Sequence, residues 1–234
     1  MLAVTGGKGG TGKTTTALGL ARAFGTAGTP AIAVDADWGL PELGALAGVD
    51  RRVTHPGRGA DESPLAAAVA DAVEPTVRVL PAPTDSRDRD LRGSLRAVAA
   101  AAPRNTPVPV DCPAGAAPDA VAPLRVADGA LLVTEPCAAS LRDTAKTAAV
   151  ARRLGTPIVG AVVTSATAVP PGVCGLLECP VLARVPRSPS PLDPDGDASG
   201  SDPVLGDERV ADAYARGAAS VAEAAGSELD QTRA

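Results

Sequence analysis

The sequence predicts an α/β fold: one domain built on a mostly parallel β-sheet of about seven or eight strands, with helices on both faces. Three observations support this prediction. Short aliphatic runs alternate along the 234 residues with alanine-rich segments of helical length, the pattern of strand–helix–strand units joined by right-handed crossovers. The aliphatic runs are mostly apolar throughout, as in strands buried on both faces. The 45% hydrophobic content suffices for a sizeable core.

The strand candidates are short runs rich in Val, Ile, Leu and Ala. In chain order they are Leu2–Thr5, Ala31–Val34, Val77–Leu80, Val108–Val110, Ala130–Val133, Ile158–Val163 and Val181–Val185. Pro109 lies inside the fourth run and lacks the backbone N–H that a ladder needs. We retain that run because its neighbours are apolar and because it ends at Asp111.

The helix candidates are the alanine-rich segments, since alanine has the highest helix propensity. In chain order they are Lys13–Phe24, Pro64–Val73, Asp88–Ala101, Ala117–Arg125, Ser140–Leu154 and Glu208–Ala225. Two segments, Asp50–Ser63 and Pro186–Asp207, are rich in Pro, Gly and charged residues and predict loops. We therefore predict one domain over residues 1–225, containing a flexible Pro- and Asp-rich loop at 186–207, and a short polar tail at 226–234.

The composition argues against several classes of function. The formal net charge of −5 and the presence of three aromatic residues, Phe24, Trp38 and Tyr214, argue against a strongly basic nucleic-acid binder that stacks bases on aromatic side chains. The single histidine, His55, excludes a two-histidine zinc site. Its Pro- and Gly-rich surroundings favour an exposed loop residue.

The cysteine pattern and the start of the chain indicate a reduced environment. The four cysteines are Cys112, Cys137, Cys174 and Cys179. They form no CxxC pair, and we expect them to be small buried hydrophobic residues. The chain runs from Met1 directly into a strand, so we expect a cytoplasmic protein without disulfides. The uncharged stretch Leu154–Leu177 is interrupted by prolines and glycines, which favours a buried strand and a loop over a membrane span.

The strongest motif follows the first predicted strand. Residues 7–14 fit the phosphate-binding pattern G-x-x-x-x-G-K-[ST] between a strand and a helix. The amides of such a loop and the helix N-terminus point at phosphate oxygens. Lys13 is expected to reach the β- and γ-phosphates, Thr14 to bind Mg²⁺ and Thr15 to touch the α-phosphate. The nucleotide-binding residues predicted in this loop are Gly7, Lys8, Gly9, Gly10, Thr11, Gly12, Lys13, Thr14 and Thr15.

Carboxylates follow two of the predicted strands. Asp35 and Asp37 come at the end of the second strand, and Asp111 ends the fourth. A carboxylate at the carboxyl end of a buried strand, beside a phosphate loop, is where a group that holds Mg²⁺ must lie. We therefore expect these three side chains to converge on one crevice.

At these positions the sequence resembles the MinD/ParA family of P-loop ATPases. The additional Lys8 matches the family's deviant Walker A motif, and Asp35–Leu40 resembles its switch I. Asp111–Gly115 reads D-x-P-A-G, the switch II form typical of MinD. Weaker similarities extend the resemblance over about residues 2–225.

The resemblance implies an ATPase with ATP and Mg²⁺ as cofactors and with slow, partner-stimulated turnover. It implies an ATP-dependent homodimer that positions a cellular cargo or a division or partition machinery, with Lys8 reaching the partner's phosphates much as an arginine finger does. The residues it implies to be catalytic are Lys8, Lys13 and Asp37, and those implied to hold the metal are Thr14, Asp37 and Asp111. Adenine is implied to lie near Thr164, Pro186 and Arg187.

The sequence also departs from the family pattern at several positions. Glu42 stands where the switch usually has Asn, Cys137 where an acidic residue is common, and Ser165 where Asn is often found. The segment Gly226–Ala234 has one large apolar residue, so we expect no membrane helix and no MinD-type C-terminal membrane anchor.

Three alternatives remain open at this point. A DNA-segregation ATPase of the ParA kind needs a basic surface; Arg142, Arg152 and Arg153 are candidates, but prevailing acidic residues disfavour DNA as a partner. An iron–sulfur carrier ATPase of the Mrp kind needs a CxxC, whereas Cys174 and Cys179 are separated by four residues. The third is a nucleotide-binding adaptor with little hydrolysis, suggested by Glu42. The cargo and the activator protein are not identified by any motif.

Overall fold

The computed structural model describes residues 1–49, 63–84, 89–188 and 205–231, with side chains described up to residue 224. The strands in these ranges are β1 (Leu2–Thr5), β2 (Ala31–Asp35), β3 (Val69–Ala70), β4 (Val77–Leu80), β5 (Pro109–Asp111), β6 (Gly129–Thr134), β7 (Ile158–Val163) and β8 (Val181–Arg184). The helices are α1 (Lys13–Thr26), α2 (Leu43–Leu46), α3 (Leu91–Ala101), α4 (Pro118–Leu124), α5 (Ala138–Arg153), α6 (Val173–Leu177) and α7 (Glu208–Gln231).

The described strands form one sheet in the order β3-β4-β2-β5-β1-β6-β7-β8. All neighbouring pairs are parallel except β3 and β4, which are antiparallel at one edge. The chain leaves β1 towards β2 on one side and later returns to place β6 on its other side. Such a reversal of strand order opens a crevice at the carboxyl ends of the central strands, where open α/β sheets bind ligands.

The core lies in two layers, one on each face of the sheet. Alternate residues of β2 enter different layers: Ala31 and Ala33 pack with α1 and α7, whereas Ile32 and Val34 pack with α3, α4 and α5. The buried Tyr214 of α7 lies against Gly19 of α1, where a methyl group would collide with its ring. This close approach fixes α7 on the helix that follows the phosphate loop.

The predicted α/β class and mostly parallel sheet are confirmed. The fourth predicted strand is shifted by one residue, because β5 begins at Pro109 and ends at Asp111. The first position of a strand is where a missing N–H is best tolerated. The short helices α2 and α6 were not predicted; each has at most five residues, too few to show a helical period.

The predicted helix Pro64–Val73 is wrong. The chain there forms a turn and the two-residue strand β3. Arg78 Nη2 donates to the carbonyl oxygens of Leu65 and Ala68 at 3.2 and 2.6 Å. In a helix those carbonyl oxygens would accept backbone N–H groups of the following turn. Here they accept the Arg78 guanidinium of β4 instead, which ties the segment to the sheet.

Several predicted features lie outside the described residues. These include His55 with most of the loop Asp50–Ser63, most of the loop Pro186–Asp207, and Asp88 at the start of a predicted helix. The described helices include none whose length and hydropathy would suit a membrane crossing.

Candidate functional site

The predicted phosphate loop connects β1 to α1. Gly10 and Gly12 have φ angles of 75° and 84°, a left-handed conformation that favours glycine. A Cβ at Gly6 would collide with the carbonyl of Val133, and one at Gly7 with the backbone of Asp143. The loop is therefore pressed against the end of β6 and against α5, and its glycines allow both the turn and this close packing.

The loop is closed by hydrogen bonds to its own carbonyls. Lys13 is buried, and its Nζ donates to the carbonyl oxygen of Lys8 at 3.2 Å. Thr11 Oγ1 donates to the same oxygen at 3.3 Å. The Lys8 side chain is exposed, and its charge is one of the influences that lower the pKa of Asp143, after the larger effect of Lys146.

Two buried carboxylates face each other across adjacent strands. Asp35 on β2 and Asp111 on β5 are register partners and are 3% and 1% exposed. Burial, followed by repulsion from Asp111, raises the pKa of Asp35 to about 8. Burial raises the pKa of Asp111 to about 7, although a hydrogen bond from Thr14 and the charge of Lys13 oppose the rise.

Asp35 organises the loop that follows β2. Its Oδ1 accepts the backbone N–H of Asp37 at 3.1 Å, and its Oδ2 accepts that of Leu43 at 3.2 Å. Trp38 Nε1 donates to the Asp35 carbonyl oxygen at 3.1 Å. Both carboxylate oxygens of Asp35 are thus bound to backbone, whereas Asp111 lies within reach of the charges of Lys13, Asp37 and Glu42.

The residues around Asp111 fit a hard divalent cation. Asp111 Oδ1 is buried and has no hydrogen-bond partner among the described residues. The Thr14 hydroxyl lies near the same carboxylate and lowers its pKa, whereas the charge of Asp37 raises it. Hydroxyl and carboxylate oxygens are the ligands Mg²⁺ prefers. The described ranges contain no cluster of three or more His, Cys, Asp or Glu side chains suited to a metal, so the cation would also need oxygens of a ligand and of water.

The segment after β5 couples the two loops. Gly115 N donates to the carbonyl oxygen of Gly6 at 3.3 Å, and Cys112 N donates to that of Val4 at 3.2 Å. Cys112 is fully buried, and burial raises the pKa of its thiol well above the ordinary value. The Asp111–Gly115 segment is therefore hydrogen-bonded directly to β1 and to the start of the phosphate loop.

The residues predicted near the base lie at the ends of β7 and β8. Thr164 is buried, and its hydroxyl donates to the carbonyl oxygen of Thr11 at 2.8 Å and to that of Thr134 at 3.2 Å. Pro186 is half-buried and Arg187 is exposed, just beyond β8. Ala166 N donates to the Val185 carbonyl oxygen at 3.1 Å, which joins the two strand ends.

The structure brings the remaining predicted residues to the same edge of the sheet. Gly9, Gly10 and Lys8 are exposed on the loop, and Thr14 and Thr15 are half-buried in the first turn of α1. Sequence reasoning missed the packing of Asp143 against Gly7. The available signal was its place six residues into the helix that follows β6.

Comparisons with known proteins agree with this geometry. Residues 2–189 match the model of the CobQ/CobB/MinD/ParA nucleotide-binding domain family. An uncharacterised ATP-binding protein of Methanocaldococcus jannaschii is 32% identical over 200 residues, 80% of this chain and 74% of that protein. The septum site-determining protein MinD of Synechocystis is 34% identical over 152 residues, 61% of this chain and 56% of that protein.

Solved structures extend the similarity to nearly the whole chain. The septum site-determining protein MinD of Pyrococcus horikoshii, complexed with Mg-ADP, superposes with a TM-score of 0.81 at 27% identity and covers 96% of both chains. The cell division ATPase MinD of Pyrococcus furiosus gives a TM-score of 0.80 at 29% identity, covering 95% of this chain and 98% of that one.

Proposed function

The chain belongs to the CobQ/CobB/MinD/ParA nucleotide-binding family, and we propose that it binds and hydrolyses ATP and that the nucleotide sets its dimerisation. The observation that carries the proposal is the buried Oδ1 of Asp111, which lies beside Thr14 and Lys13 and has no hydrogen-bond partner in the described ranges. A carboxylate held in this way beside a phosphate loop has no structural use for its free oxygen. The Asp111 carboxylate therefore fits the role of the strand-end aspartate that helps to hold Mg²⁺ in a nucleotide-binding site.

The loop of residues 7–13 would hold the phosphates through its backbone N–H groups and the N-terminus of α1. Lys13, now bonded to the Lys8 carbonyl at 3.2 Å, would turn its ammonium group to the β- and γ-phosphates. Thr14 and Asp111 would hold Mg²⁺, with Asp37 in the surrounding shell; the ion supplies charge neutralisation of the phosphate oxygens. Thr15, one residue further along α1, would contact the α-phosphate.

Asp37 would orient the attacking water. Its Oδ1 accepts the backbone N–H of Leu40 at 3.1 Å, which fixes the carboxylate and leaves Oδ2 to accept a hydrogen bond from water. Water oxygen then bonds to the γ-phosphorus while the bond to the β–γ bridging oxygen breaks, and the products are ADP and phosphate. The proton of the water leaves towards the carboxylate or a phosphate oxygen.

Lys8 would act on the nucleotide of a partner subunit. It is exposed at the top of the loop, while Lys13 already serves the site within the chain. Leu40, on the adjacent switch segment, is 65% exposed, an apolar contact at the same edge. A lysine supplied across a dimer stabilises transition-state charge only when two ATP-bound subunits meet, so turnover would be slow for the isolated protein and stimulated by a partner.

The base would lie between the ends of β7 and β8, near Thr164, Pro186 and Arg187. Since the Thr164 hydroxyl is bound to two backbone carbonyls, we propose that its contact with the base is made by its methyl group. We propose that the dimer positions a cargo or a division or partition machinery in the cytoplasm; the similar proteins are named as a septum site-determining protein and a cell division ATPase. The activator would be a protein.

The test is the mass of the protein in solution with Mg·ATP and with Mg·ADP. Asp37→Ala should slow hydrolysis and trap a dimer in ATP, with a monomer in ADP. Lys8→Ala should bind ATP but fail to dimerise, whereas Lys146→Ala, which removes another exposed lysine, should dimerise normally. ATP binding without any change of mass would refute the dimer switch, and turnover equal to that of Lys13→Ala would favour an adaptor.

A further inference from the structure

A pair of cysteines is brought together at the C-terminus of α6, at the opposite end of the sheet from the phosphate loop. Glu178, the residue after the helix, has a φ of 51°. Cys179 N donates to the carbonyl oxygen of Cys174 at 3.3 Å. This six-to-one hydrogen bond around a left-handed residue is the long-range bond of a Schellman-type helix end, which turns the chain back on the last turn of α6.

The backbones of the two cysteines are therefore close together. A hydrogen bond between the backbone groups of Cys174 and Cys179 holds their Cα atoms within about 7 Å, at the upper end of the range that disulfides span. Cys174 is also close enough to Cys179 to raise the pKa of the Cys179 thiol slightly. The spacing of four residues does not match the CxxC of iron–sulfur carriers. The turn at Glu178 nevertheless brings the backbones of the two cysteines close together.

The surroundings of the pair are fixed and asymmetric. Arg152 of α5 donates through Nη2 to the carbonyl oxygens of Leu177 and Glu178 at 2.6 and 3.3 Å, which pins the end of α6. Cys174 is exposed, whereas Cys179 is 9% exposed. Burial raises the pKa of Cys179 to about 11, partly offset by the charge of Arg152.

We propose that Cys174 and Cys179 form a dithiol site that exchanges with low-molecular-weight disulfides and closes to an intramolecular disulfide. The exposed Cys174 attacks the small disulfide, forms a mixed disulfide and releases one small thiol. Cys179 then attacks the Cys174 sulfur, and a second small thiol leaves. Two protein thiols are oxidised and one small disulfide is reduced to two thiols, which balances atoms and electrons.

The order of attack follows from exposure and from acidity. A thiol with a raised pKa supplies little thiolate, so Cys179 is suited to the second, intramolecular step, where proximity replaces concentration. Cys137, exposed at the start of α5, and the fully buried Cys112 provide internal comparisons. Cys137 should stop at the mixed disulfide, and Cys112 should not react.

The experiment uses the full chain and oxidised glutathione as the small disulfide, at about pH 8 where thiolates begin to form. After blocking free thiols, peptide mass spectrometry should find Cys174 linked to Cys179 and a glutathione adduct on Cys137. Reduction should reverse both. Cys137→Ser should leave the linkage unchanged. Cys179→Ser should retain glutathione on Cys174, because the resolving thiol is missing.

A second variant guards against an effect of misfolding. Cys174→Ser changes an exposed side chain, and Cys179 should then lose its thiol more slowly by a factor on the order of tenfold or more. A wild-type protein that keeps glutathione on Cys174 while Cys179 stays alkylatable would overturn the proposal. Equal reactivity of Cys179 with and without Cys174 would overturn the order of attack.

Discussion

Two buried aspartates of this protein have similar burial and opposite surroundings. The Asp71 side chain has no exposed surface, and Arg22 grips it with Nε and Nη2 at 3.0 and 2.8 Å. Backbone N–H groups of Val73 and Glu74 donate to it at 3.1 and 2.7 Å. Asp111 is 1% exposed, yet one of its oxygens has no partner within the described part of the chain.

The difference indicates that the Asp71 carboxylate stabilises the fold, whereas the Asp111 carboxylate is available to bind a ligand. Both carboxylate oxygens of Asp71 accept hydrogen bonds, including two from the Arg22 guanidinium, so its contacts hold the fold together. At Asp111 burial raises the pKa to about 7, because desolvation is not fully compensated. Carboxylates with a pKa shifted by burial are typical of functional sites. The comparison predicts that changes near Asp71 affect stability, whereas changes at Asp111 affect turnover.

The largest expected effect is that of Arg22→Ala. It leaves the Asp71 charge buried without its partner, and breaking such a pair costs about 3–5 kcal/mol. Urea unfolding followed by circular dichroism measures the free energy of unfolding. Arg209→Ala is the matched control, since Arg209 is 64% exposed in its pair with Asp207 and exposed ion pairs contribute little to stability. Equal losses in the two variants would contradict the comparison.

Asp111→Asn should have the opposite effect to Arg22→Ala: turnover should fall, whereas the free energy of unfolding should not. It keeps the size of the side chain but removes the charge that we propose holds Mg²⁺, so turnover should fall about 10²–10³-fold, the range for loss of one electrostatic group in an active site. Without Mg²⁺ and nucleotide, its free energy of unfolding near pH 8 should not fall, because a poorly compensated charge is gone. Phosphate release and urea unfolding measure the two quantities; full turnover would exclude Asp111 from the site.

The fold and the phosphate loop were predictable because their signals are local. The strands β1, β4 and β7 have the predicted bounds, since each is a short run rich in aliphatic residues, interrupted in β4 by Arg78 alone. The loop of residues 7–14 follows from a motif whose glycines and lysine are adjacent in sequence. Its position against β1 and α1 follows from the same short segment.

What the sequence did not predict depends on contacts between distant residues. The segment Pro64–Val73 has helical composition, but Arg22 and Arg78 bind its Asp71 carboxylate and its carbonyl oxygens, and tertiary contacts override propensity. Thr164 was predicted near the base from resemblance alone. Its hydroxyl bonds to Thr11, 153 residues away, which no local pattern could show.

The carboxylate pair should also make stability depend on pH. The pKa values of Asp35 and Asp111 are raised from 3.8 to about 8 and about 7, so the folded state binds more protons than the unfolded state between about pH 4 and pH 8. The free energy of unfolding should therefore fall as pH rises through this window, by at most about 1.4 kcal/mol per pH unit for each proton.

Urea unfolding of the metal-free and nucleotide-free protein at several pH values measures this slope. Asp111→Asn should have a smaller slope, because one of the two titrating groups is removed. Arg22→Ala, which perturbs the other region, should not flatten the slope between pH 6 and pH 8. A stability that rises with pH across the window would show that the two carboxylates are well compensated in the folded protein.

The smallest expected effect compares two buried threonines at the same edge of the sheet. The Thr164 hydroxyl donates to the Thr11 carbonyl oxygen at 2.8 Å, whereas the Thr5 hydroxyl has no partner among the described residues. Thr164→Val should cost about 1 kcal/mol, since the bond to the phosphate loop is lost. Thr5→Val makes the same exchange of hydroxyl for methyl and should be neutral or stabilising, because an unpartnered polar atom is removed. If both variants lost equal stability, the hydrogen bond of the Thr164 hydroxyl would contribute nothing that the Thr5 hydroxyl lacks. The presence or absence of a hydrogen-bond partner would then not separate structural from functional polar groups at this edge of the sheet.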